Sequence, residues 1–329
     1  MPCYKPLTAY RSHSPYAARH EKTGKPALRF SYDPRELDTR PGYISLYEER
    51  MKLPCGKCVG CKLKKSSEWA TRIMHEARYH KQTSFLTLTY QTESLPPNGT
   101  LDKSHFVGFI KRLRERLREK GHAKLKYYMC GEYGDKTERP HYHAILFGWF
   151  PHDAVIADNN PGAANPLWRS AFLEEVWGLG RVLVGHVTES SAAYVARYTM
   201  KKLHAQEADH AYKETERIPP YTAMSKGIGA RYFADYQTEI YSNDNVLREN
   251  DLQPVSVPRY YDKLKAKAEM KAELAKFNIR DINSVKRSRT QKAQAMNPRD
   301  MTPERLAVRE EVVNLRVKRL RRSHEENAR

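Results

Sequence analysis

The hydrophobic and polar positions of the central chain follow a period of two in several short stretches. Residues 84–90 (SFLTLTY) alternate apolar with β-branched side chains, which predicts a strand. Residues 126–134 and 140–148, joined by the polar loop DKTER, predict a hairpin-like pair, and residues 180–188 predict a further strand. The stretch 151–167, rich in Pro, Gly and Asn, is predicted to be a loop.

Between these strands the period changes to that of a helix. Residues 102–120 give the clearest amphipathic pattern, with apolar side chains spaced by four, three and four residues from Phe106 to Leu117. The opposite face is basic and includes Lys111 and Arg112. A face that is only solvated and a face that contacts a DNA backbone are equally compatible with this charge.

Two more helices are predicted around this region. The first follows the cysteine-rich segment, with Trp69 and Ile73 on one face and Ser66 or Ser67 as its N-cap. The second spans residues 190–203 and begins at one of two consecutive serines. It ends in lysines, which suit the negative end of the helix dipole.

Composition divides the chain into three predicted segments. The first 65 residues are rich in Pro, Gly and charge and show little periodicity, so we expect an irregular extension. Residues 259–329 contain 20 Lys and Arg, 10 Asp and Glu, and no glycine, and Thr302-Pro303 forms a helix start signal. The predicted segments are 1–65, a central domain at 66–245, and a basic helical tail at 246–329.

The charge of the whole chain points to a polyanionic partner. In 329 residues, 58 Lys and Arg against 39 Asp and Glu leave a formal charge of +19. The 40% hydrophobic content excludes wholesale disorder. No apolar run approaches the roughly 20 residues of a bilayer span, and the N-terminus lacks an apolar signal core. We therefore expect neither membrane insertion nor secretion.

Cysteines crowd at the end of the first segment. Cys55, Cys58 and Cys61 follow a C-x-x-C-x-x-C pattern, and Cys3 would complete a four-cysteine zinc site that pins down the N-terminus. A histidine as fourth ligand, an iron–sulfur cluster and free thiols in a reducing compartment are the alternatives. Cys130 lies within a predicted strand, and we expect it to be buried.

His141 and His143 are candidate metal ligands. Residues i and i+2 of a strand point to the same face, roughly 7 Å apart at their α-carbons. Glu132 lies near the end of the preceding strand, from which hairpin pairing would return it to that face. Two imidazoles and one carboxylate suit a catalytic Mg²⁺, Mn²⁺ or Zn²⁺. Asp135 and Glu138 in the loop are weaker candidates for the third ligand. Histidines that only pack in the core or lie on the surface are the alternative.

Tyr194 and Tyr198 are candidate nucleophiles, because two phenols four residues apart on a helix share a face. The same spacing occurs at Tyr43/Tyr47 and Tyr232/Tyr236, so the spacing alone decides nothing. The pair at 194 and 198 differs by being followed by Lys201 and by lying downstream of the histidines. Together these groups suit phosphodiester cleavage, with a phenol as nucleophile, a cation on the phosphate and Lys201 offsetting developing charge.

Several of these stretches resemble one family. RPHYHAILFG resembles the His-hydrophobic-His motif of the HUH rolling-circle replication initiators, and YVARYTMKK resembles the two-tyrosine motif of their small single-stranded DNA phage branch. FLTLTY resembles the first strand motif of that superfamily. PCGKCVGCKLKKSSEWATR and CGEYG resemble the replication-initiation proteins of the gokushovirus group of microviruses. The similarity covers about residues 50–205.

The resemblance implies an α+β fold, with an antiparallel sheet of about five strands, flanking helices and the tyrosine helix over the histidine face. It implies an origin-nicking and strand-rejoining endonuclease that forms a 5′-phosphotyrosine link and leaves a 3′-hydroxyl primer for rolling-circle synthesis. By position, His141 and His143 become ligands of a divalent cation, Tyr194 and Tyr198 nucleophiles, and Lys201 the accompanying lysine. Glu132 is the expected third ligand.

The implied partner is circular viral DNA in the cytoplasm of a bacterial host, with Lys111, Arg112 and Lys202 as candidate DNA contacts. The sequence has no GxxxxGK[ST] P-loop, so a host helicase is expected beside a host DNA polymerase. The same chemistry would serve a relaxase or a single-strand transposase. A non-enzymatic basic DNA-binding or packaging protein is the alternative from a different class.

Overall fold

A computed structural model describes most of the chain in two compact units. The described residues are 3–12, 28–31, 48–121, 125–134, 137–157, 166–201, 212, 215–248, 252–273, 282–295 and 301–319. Residues 1–64 with 293–320 form the first unit, and residues 65–292 belong to the second. The boundaries predicted at residues 65 and 245 stay a prediction.

Twelve strands are found among the described residues. They are β1 Leu7–Ser12, β2 Leu28–Ser31, β3 Glu48–Leu53, β4 Thr83–Thr89, β5 Lys126–Tyr133, β6 Pro140–Phe147, β7 Val155–Ile156, β8 Trp168–Arg169, β9 Val182–Gly185, β10 Tyr221–Met224, β11 Val246–Leu247 and β12 Pro254–Val255.

Eight α-helices are found in the same part of the chain. They are α1 Val59–Ala77, α2 Lys103–Glu119, α3 Ala171–Trp177, α4 Glu189–Lys201, α5 Ala230–Asn243, α6 Arg259–Glu273, α7 Ile282–Ala295 and α8 Pro303–Arg319. Among the described residues, no helix has both the length and the apolar character needed to cross a membrane.

The second unit is built on a seven-stranded sheet in the order β10-β5-β6-β4-β9-β8-β7, and every pairing is antiparallel. The predicted α+β class with an antiparallel sheet is confirmed. The number of strands is higher than the five predicted. The extra strands β7 and β8 have two residues each, too few for alternation to appear in the sequence.

Helices cover both faces of this sheet. One face packs against α2 and α3, whose buried side chains include Phe109, Leu113 and Trp177. The other face packs against α1 and α4, with Ile73 and Val195 among the buried contacts. Because strand residues alternate between the faces, each strand supplies both cores. The face under α1 and α4 is the one that carries the candidate ligands.

Two helix starts differ from the prediction. Helix α1 begins at Val59, seven residues before Ser66, so it includes part of the cysteine-rich segment. Helix α4 begins at Glu189, because Thr188 acts as its cap. The amide of Thr188 donates to Ser191 Oγ at 2.8 Å, and the amide of Ser191 donates back to Thr188 Oγ1 at 3.2 Å. This reciprocal pair replaces the predicted serine cap.

The segment after residue 245 is divided between the two units. Helices α5, α6 and α7 share a third hydrophobic cluster in the second unit, around Tyr261 and Val285. Helix α8 starts at the predicted Thr302-Pro303 signal and belongs to the first unit. That unit also contains the antiparallel sheet β2-β1-β3, where an irregular extension was expected. Four of the six residues of β3 are charged and β2 has only four residues, so these strands show little hydrophobic alternation.

Candidate active site

The hairpin of β5 and β6 fixes the relative positions of the candidate ligands. Glu132 pairs directly with His141, and His143 pairs with Cys130 on one side and Thr87 on the other. Directly opposed residues of antiparallel strands share a face, as do residues two apart on one strand. Both histidines and the glutamate therefore project from the same face of the sheet.

The three side chains converge on one carboxylate oxygen. Glu132 Oε1 lies 3.2 Å from His141 Nε2 and 3.1 Å from His143 Nε2. One ligand atom from each residue lies within 4.8 Å of the others. Glu132 is fully buried and the His143 residue is 2% exposed, while the side chain of His141 is 13% exposed. Of the three side chains, that of His141 is therefore the most exposed.

The other ring nitrogen of each histidine has its own partner. His143 Nδ1 lies 3.0 Å from the hydroxyl of Thr87, and His141 Nδ1 lies 3.1 Å from the carbonyl oxygen of Arg139. In the tautomer that has its proton on Nδ1 and donates it to these oxygens, Nε2 is free to bind a cation. Such partners orient metal-ligating histidines in proteins and set their tautomer.

The charge state of Glu132 suits a cation site. Burial alone would raise the pKa of its carboxyl group, but hydrogen bonds and charge interactions with His141 and His143 outweigh burial and lower the pKa to about 2. Glu132 is therefore a carboxylate at neutral pH. A buried anion next to two imidazoles is a donor set that a divalent cation satisfies.

Tyr194 is positioned at the same cluster by α4. Its hydroxyl lies 3.4 Å from His143 Nε2, and its ring is 3% exposed. The ring meets His143 edge-on with centroids 5.0 Å apart, and it also meets Phe85 edge-on. A phosphodiester can reach this hydroxyl only after local rearrangement around the buried ring. Helix α4 also contains Tyr198 and Lys201, whose side chains lie outside the described part of the structure.

The candidate DNA contacts differ from one another. Lys111 is exposed on α2. The guanidinium of Arg112 donates to the carbonyl oxygens of Val176 and Trp177 at 2.9 and 3.1 Å, so it holds α2 against the end of α3. Lys202 lies outside the described residues.

Sequence reasoning did not single out Thr87 or Phe85 as part of the site. The signal was present, because the alternation of residues 84–90 already places both side chains on one face of β4. The sequence does not show which strand lies beside β4. The register that sets Thr87 opposite His143 is known only from the folded sheet.

A second group of candidate ligands forms in the first unit. We call Cys3, Cys55, Cys58 and Cys61 the four-cysteine cluster, and their sulfur atoms all lie within 4.8 Å of one another. Cys55 Sγ is 4.0 Å from Cys61 Sγ, and Cys58 Sγ is 3.8 Å from Cys3 Sγ. Cys130 does not belong to this group and is fully buried in β5.

Among the thiols of this cluster whose pKa is shifted, the thiol of Cys58 has the lowest pKa. Burial would raise its pKa, but backbone amides of Cys61 and Tyr4 and the neighbouring thiols lower the pKa to about 7. Burial instead raises the pKa of Cys3 to about 11. A thiolate at Cys58 is therefore accessible near neutral pH, which favours metal binding by sulfur.

Comparisons with known proteins agree on one family. A family model described as replication-associated protein ORF2/G2P matches residues 83–203. The chain is 37% identical over 218 residues to replication-associated protein ORF2 of Spiroplasma virus 4, which covers 64% of this chain and 67% of that protein. It is 36% identical over 216 residues to replication-associated protein VP4 of Bdellovibrio phage phiMH2K, covering 63% and 65%.

A third relative, replication-associated protein ORF4 of Chlamydia phage 1, is 32% identical over 249 residues, which are 75% of this chain and 61% of that protein. The chain thus spans about two thirds of the length of these relatives. No solved structure matches the chain.

Proposed function

The chain belongs to the family of phage replication-associated proteins, and from that premise we propose that it initiates rolling-circle replication by nicking and rejoining viral DNA. The observation that supports this proposal is the position of the Tyr194 hydroxyl, 3.4 Å from His143 Nε2 in a cluster that also contains Glu132 and His141. A phenol beside a cation site suits phosphodiester cleavage, because it places a nucleophile next to a group that can polarise the phosphate.

In the proposed reaction the phenolic oxygen of Tyr194 attacks the scissile phosphorus and loses its proton to water. The bond from phosphorus to the 3′ oxygen breaks, and this oxygen takes up a proton to become the 3′-hydroxyl primer. The 5′ phosphate remains on the tyrosine. Because a phenol, with a pKa of about 10, is a better leaving group than an alkoxide, a 3′-hydroxyl can later displace it and rejoin the strand.

Glu132, His141 and His143 would hold the cation, which we propose to be Mg²⁺ or Mn²⁺. When bound, such a cation polarises the scissile phosphate and orients it for in-line attack. Glu132 contributes the negative charge, and the imidazoles are oriented by Thr87 and by the carbonyl oxygen of Arg139. The three side chains leave coordination positions for a phosphate oxygen.

Tyr198 is proposed as the second nucleophile, with Lys201 offsetting charge on the phosphoryl oxygens. Two tyrosines one helical turn apart would allow a second cleavage while the first phosphate is still esterified. The proposed substrate is the origin of a circular viral genome inside the bacterial host cell. A host helicase would open the duplex, and a host polymerase would extend the primer.

We also propose that the four-cysteine cluster binds a structural Zn²⁺ and takes no part in DNA cleavage. Four thiolates at about 2.3 Å from a tetrahedral zinc ion lie about 3.8 Å from one another. The Sγ–Sγ distances of 4.0 Å between Cys55 and Cys61 and 3.8 Å between Cys58 and Cys3 are close to that value. A site with four protein ligands has no open position for a substrate.

The test is a covalent adduct assay with origin-bearing supercoiled DNA and Mn²⁺. The unmodified chain should give a protein–DNA adduct, and the double variant Tyr194→Phe/Tyr198→Phe should give none. The matched control is Tyr232→Phe/Tyr236→Phe, which removes two phenols at the same spacing on α5 and should keep the adduct. DNA retarded in a gel with no adduct under any divalent cation would instead identify a non-enzymatic DNA-binding protein.

A further inference from the structure

We propose that zinc in the four-cysteine cluster anchors helix α8, so that the metal joins the beginning of the chain to its C-terminal helix in one folded unit. The inference rests on the zinc site proposed above and assigns a structural role to that site. It concerns only the first unit, which contains all four cysteines and α8.

Backbone amides already surround the sulfur atoms as they do in metal-binding thiolate loops. The amide of Cys55 donates to Cys3 Sγ at 3.2 Å, that of Cys58 to Cys55 Sγ at 3.3 Å, and that of Tyr4 to Cys58 Sγ at 3.3 Å. Gly56 makes the turn between Cys55 and Cys58 with φ +75°, a conformation that favours glycine. These bonds stabilise negative charge on sulfur and link the N-terminal strand to the start of α1.

A buried lysine supplies charge complementarity. Lys62 lies one turn after Cys58 in α1 and is only 5% exposed. Its electrostatic partners are Cys58, Cys55 and Glu310 of α8. Burying an ammonium group is costly unless negative charge lies nearby. Four thiolates around Zn²⁺ carry a net charge of −2, which provides it.

Helix α8 packs directly on this cluster. Leu306 is 2% exposed and forms a small hydrophobic cluster with Tyr4 and Cys58, while Val313 packs at its edge. Glu310 lies 3.6 Å from the ammonium group of Lys5 in the same unit.

The opposite side of α8 is solvent-facing. Val308, Val312 and Leu315 are 50%, 42% and 51% exposed. Most of the stability of a helix in a protein comes from packing of its apolar face. Among the described residues, the apolar side chains on the inner face of α8 therefore pack mainly against the cysteine loop. We expect the conformation of that loop to depend on the bound metal.

The first test is the metal content of the purified full chain. We expect one zinc per chain, retained in Cys130→Ala and lost in Cys55→Ala; the control removes a buried cysteine outside the cluster. Replacement by Co²⁺ should give the absorption of tetrahedral thiolate coordination. A wild-type chain that binds neither Zn²⁺ nor Co²⁺ would overturn the proposal.

The second test is amide hydrogen exchange of residues 303–319. Removing zinc should speed exchange in α8 at least tenfold and leave β6 of the second unit unchanged, and returning Zn²⁺ should restore protection. Leu306→Ala should keep zinc and still speed exchange in α8. Exchange that is the same with and without zinc, or unchanged in Leu306→Ala, overturns the anchoring role. Neither readout uses DNA, so failure of the tyrosine chemistry would leave both results unaffected.

Discussion

Two groups of candidate metal ligands are found among the residues that the structure describes, and they differ in almost every property. Glu132, His141 and His143 project from adjacent strands of one sheet and offer oxygen and nitrogen. The four-cysteine cluster offers only sulfur and gathers residues from position 3 to position 61. In both groups the ligand atoms lie within 4.8 Å of one another, so this distance alone does not distinguish a catalytic site from a structural one.

The difference between them lies in donor type, coordination number and surroundings. The first group has three ligands, one of them a carboxylate, and would leave coordination positions open on a bound cation. The phenol of Tyr194 lies next to one of these ligands, His143. Four thiolates close a tetrahedron, and a helix packs over the cysteine loop. The first arrangement suits a hard, exchangeable cation, whereas the second suits zinc held for folding.

The largest expected effect is the loss of nicking when the cation at Glu132, His141 and His143 is removed while zinc stays bound in the same sample. Desalting the protein into buffer free of divalent cations should reduce nicking at least about 10³-fold, because the proposed reaction requires a cation that three ligands hold only weakly. Added Mn²⁺ or Mg²⁺ should restore nicking. Zinc measured on the same sample should stay bound, because four thiolates hold it more tightly. Nicking activity that changes with the zinc content, and not with added Mn²⁺ or Mg²⁺, would contradict the proposal of one catalytic and one structural metal site.

Glu132→Gln should reduce nicking by about 10²-fold, because the amide keeps the shape of the side chain but loses the charge that binds the cation. The measurement is the nicking rate at the Mn²⁺ concentration that gives the unmodified chain half its maximal rate, with zinc content as a check on the other site. Glu138→Gln is the matched control, since Glu138 lies in the hairpin loop, has a 70% exposed side chain and pairs with Arg217. Equal losses in both variants would remove Glu132 from the ligand set.

A smaller effect is expected from Thr87→Val, which removes the hydroxyl 3.0 Å from His143 Nδ1 with little change in shape. The Mn²⁺ concentration for half-maximal nicking should rise about 10-fold, because partners of ligating histidines tune metal affinity by that order. Thr87→Ser should keep the wild-type value.

The control for this position is Thr89→Val on the same strand, because the Thr89 hydroxyl donates to the carbonyl oxygen of Arg181. A change in the maximal rate of Thr87→Val without a change in metal dependence would show that Thr87 only packs.

Burial of a histidine is not a sign of metal binding by itself, as His75 shows. It is fully buried, and its ring nitrogens lie 2.8 Å from the hydroxyl of Tyr261 and 3.2 Å from the carbonyl oxygen of Leu247. Burial lowers its pKa to about 4. With both nitrogens engaged by neutral groups, His75 connects α1 to later parts of the second unit. His143 differs because a carboxylate faces its Nε2 atom.

Much of the second unit could be predicted because its signals are local. Period-two alternation identified β4, β5, β6 and β9, and β5 and β6 form a hairpin whose pairing follows from chain connectivity. The short strands at the sheet edge and the early start of α1 were missed. Two-residue strands have no period, and the start of α1 lies among cysteines whose packing gives no hydrophobic pattern.

The amino-acid sequence alone determined the residue types, their spacing and the faces of their own elements, because these depend on backbone geometry within a few residues. Only the tertiary structure decided which faces meet. It set Thr87 opposite His143, placed the hydroxyl of Tyr194 3.4 Å from His143 Nε2, and turned Arg112 toward the end of α3. Such contacts depend on sheet register and helix packing, to which residues far apart in the chain contribute together, so no local pattern records them.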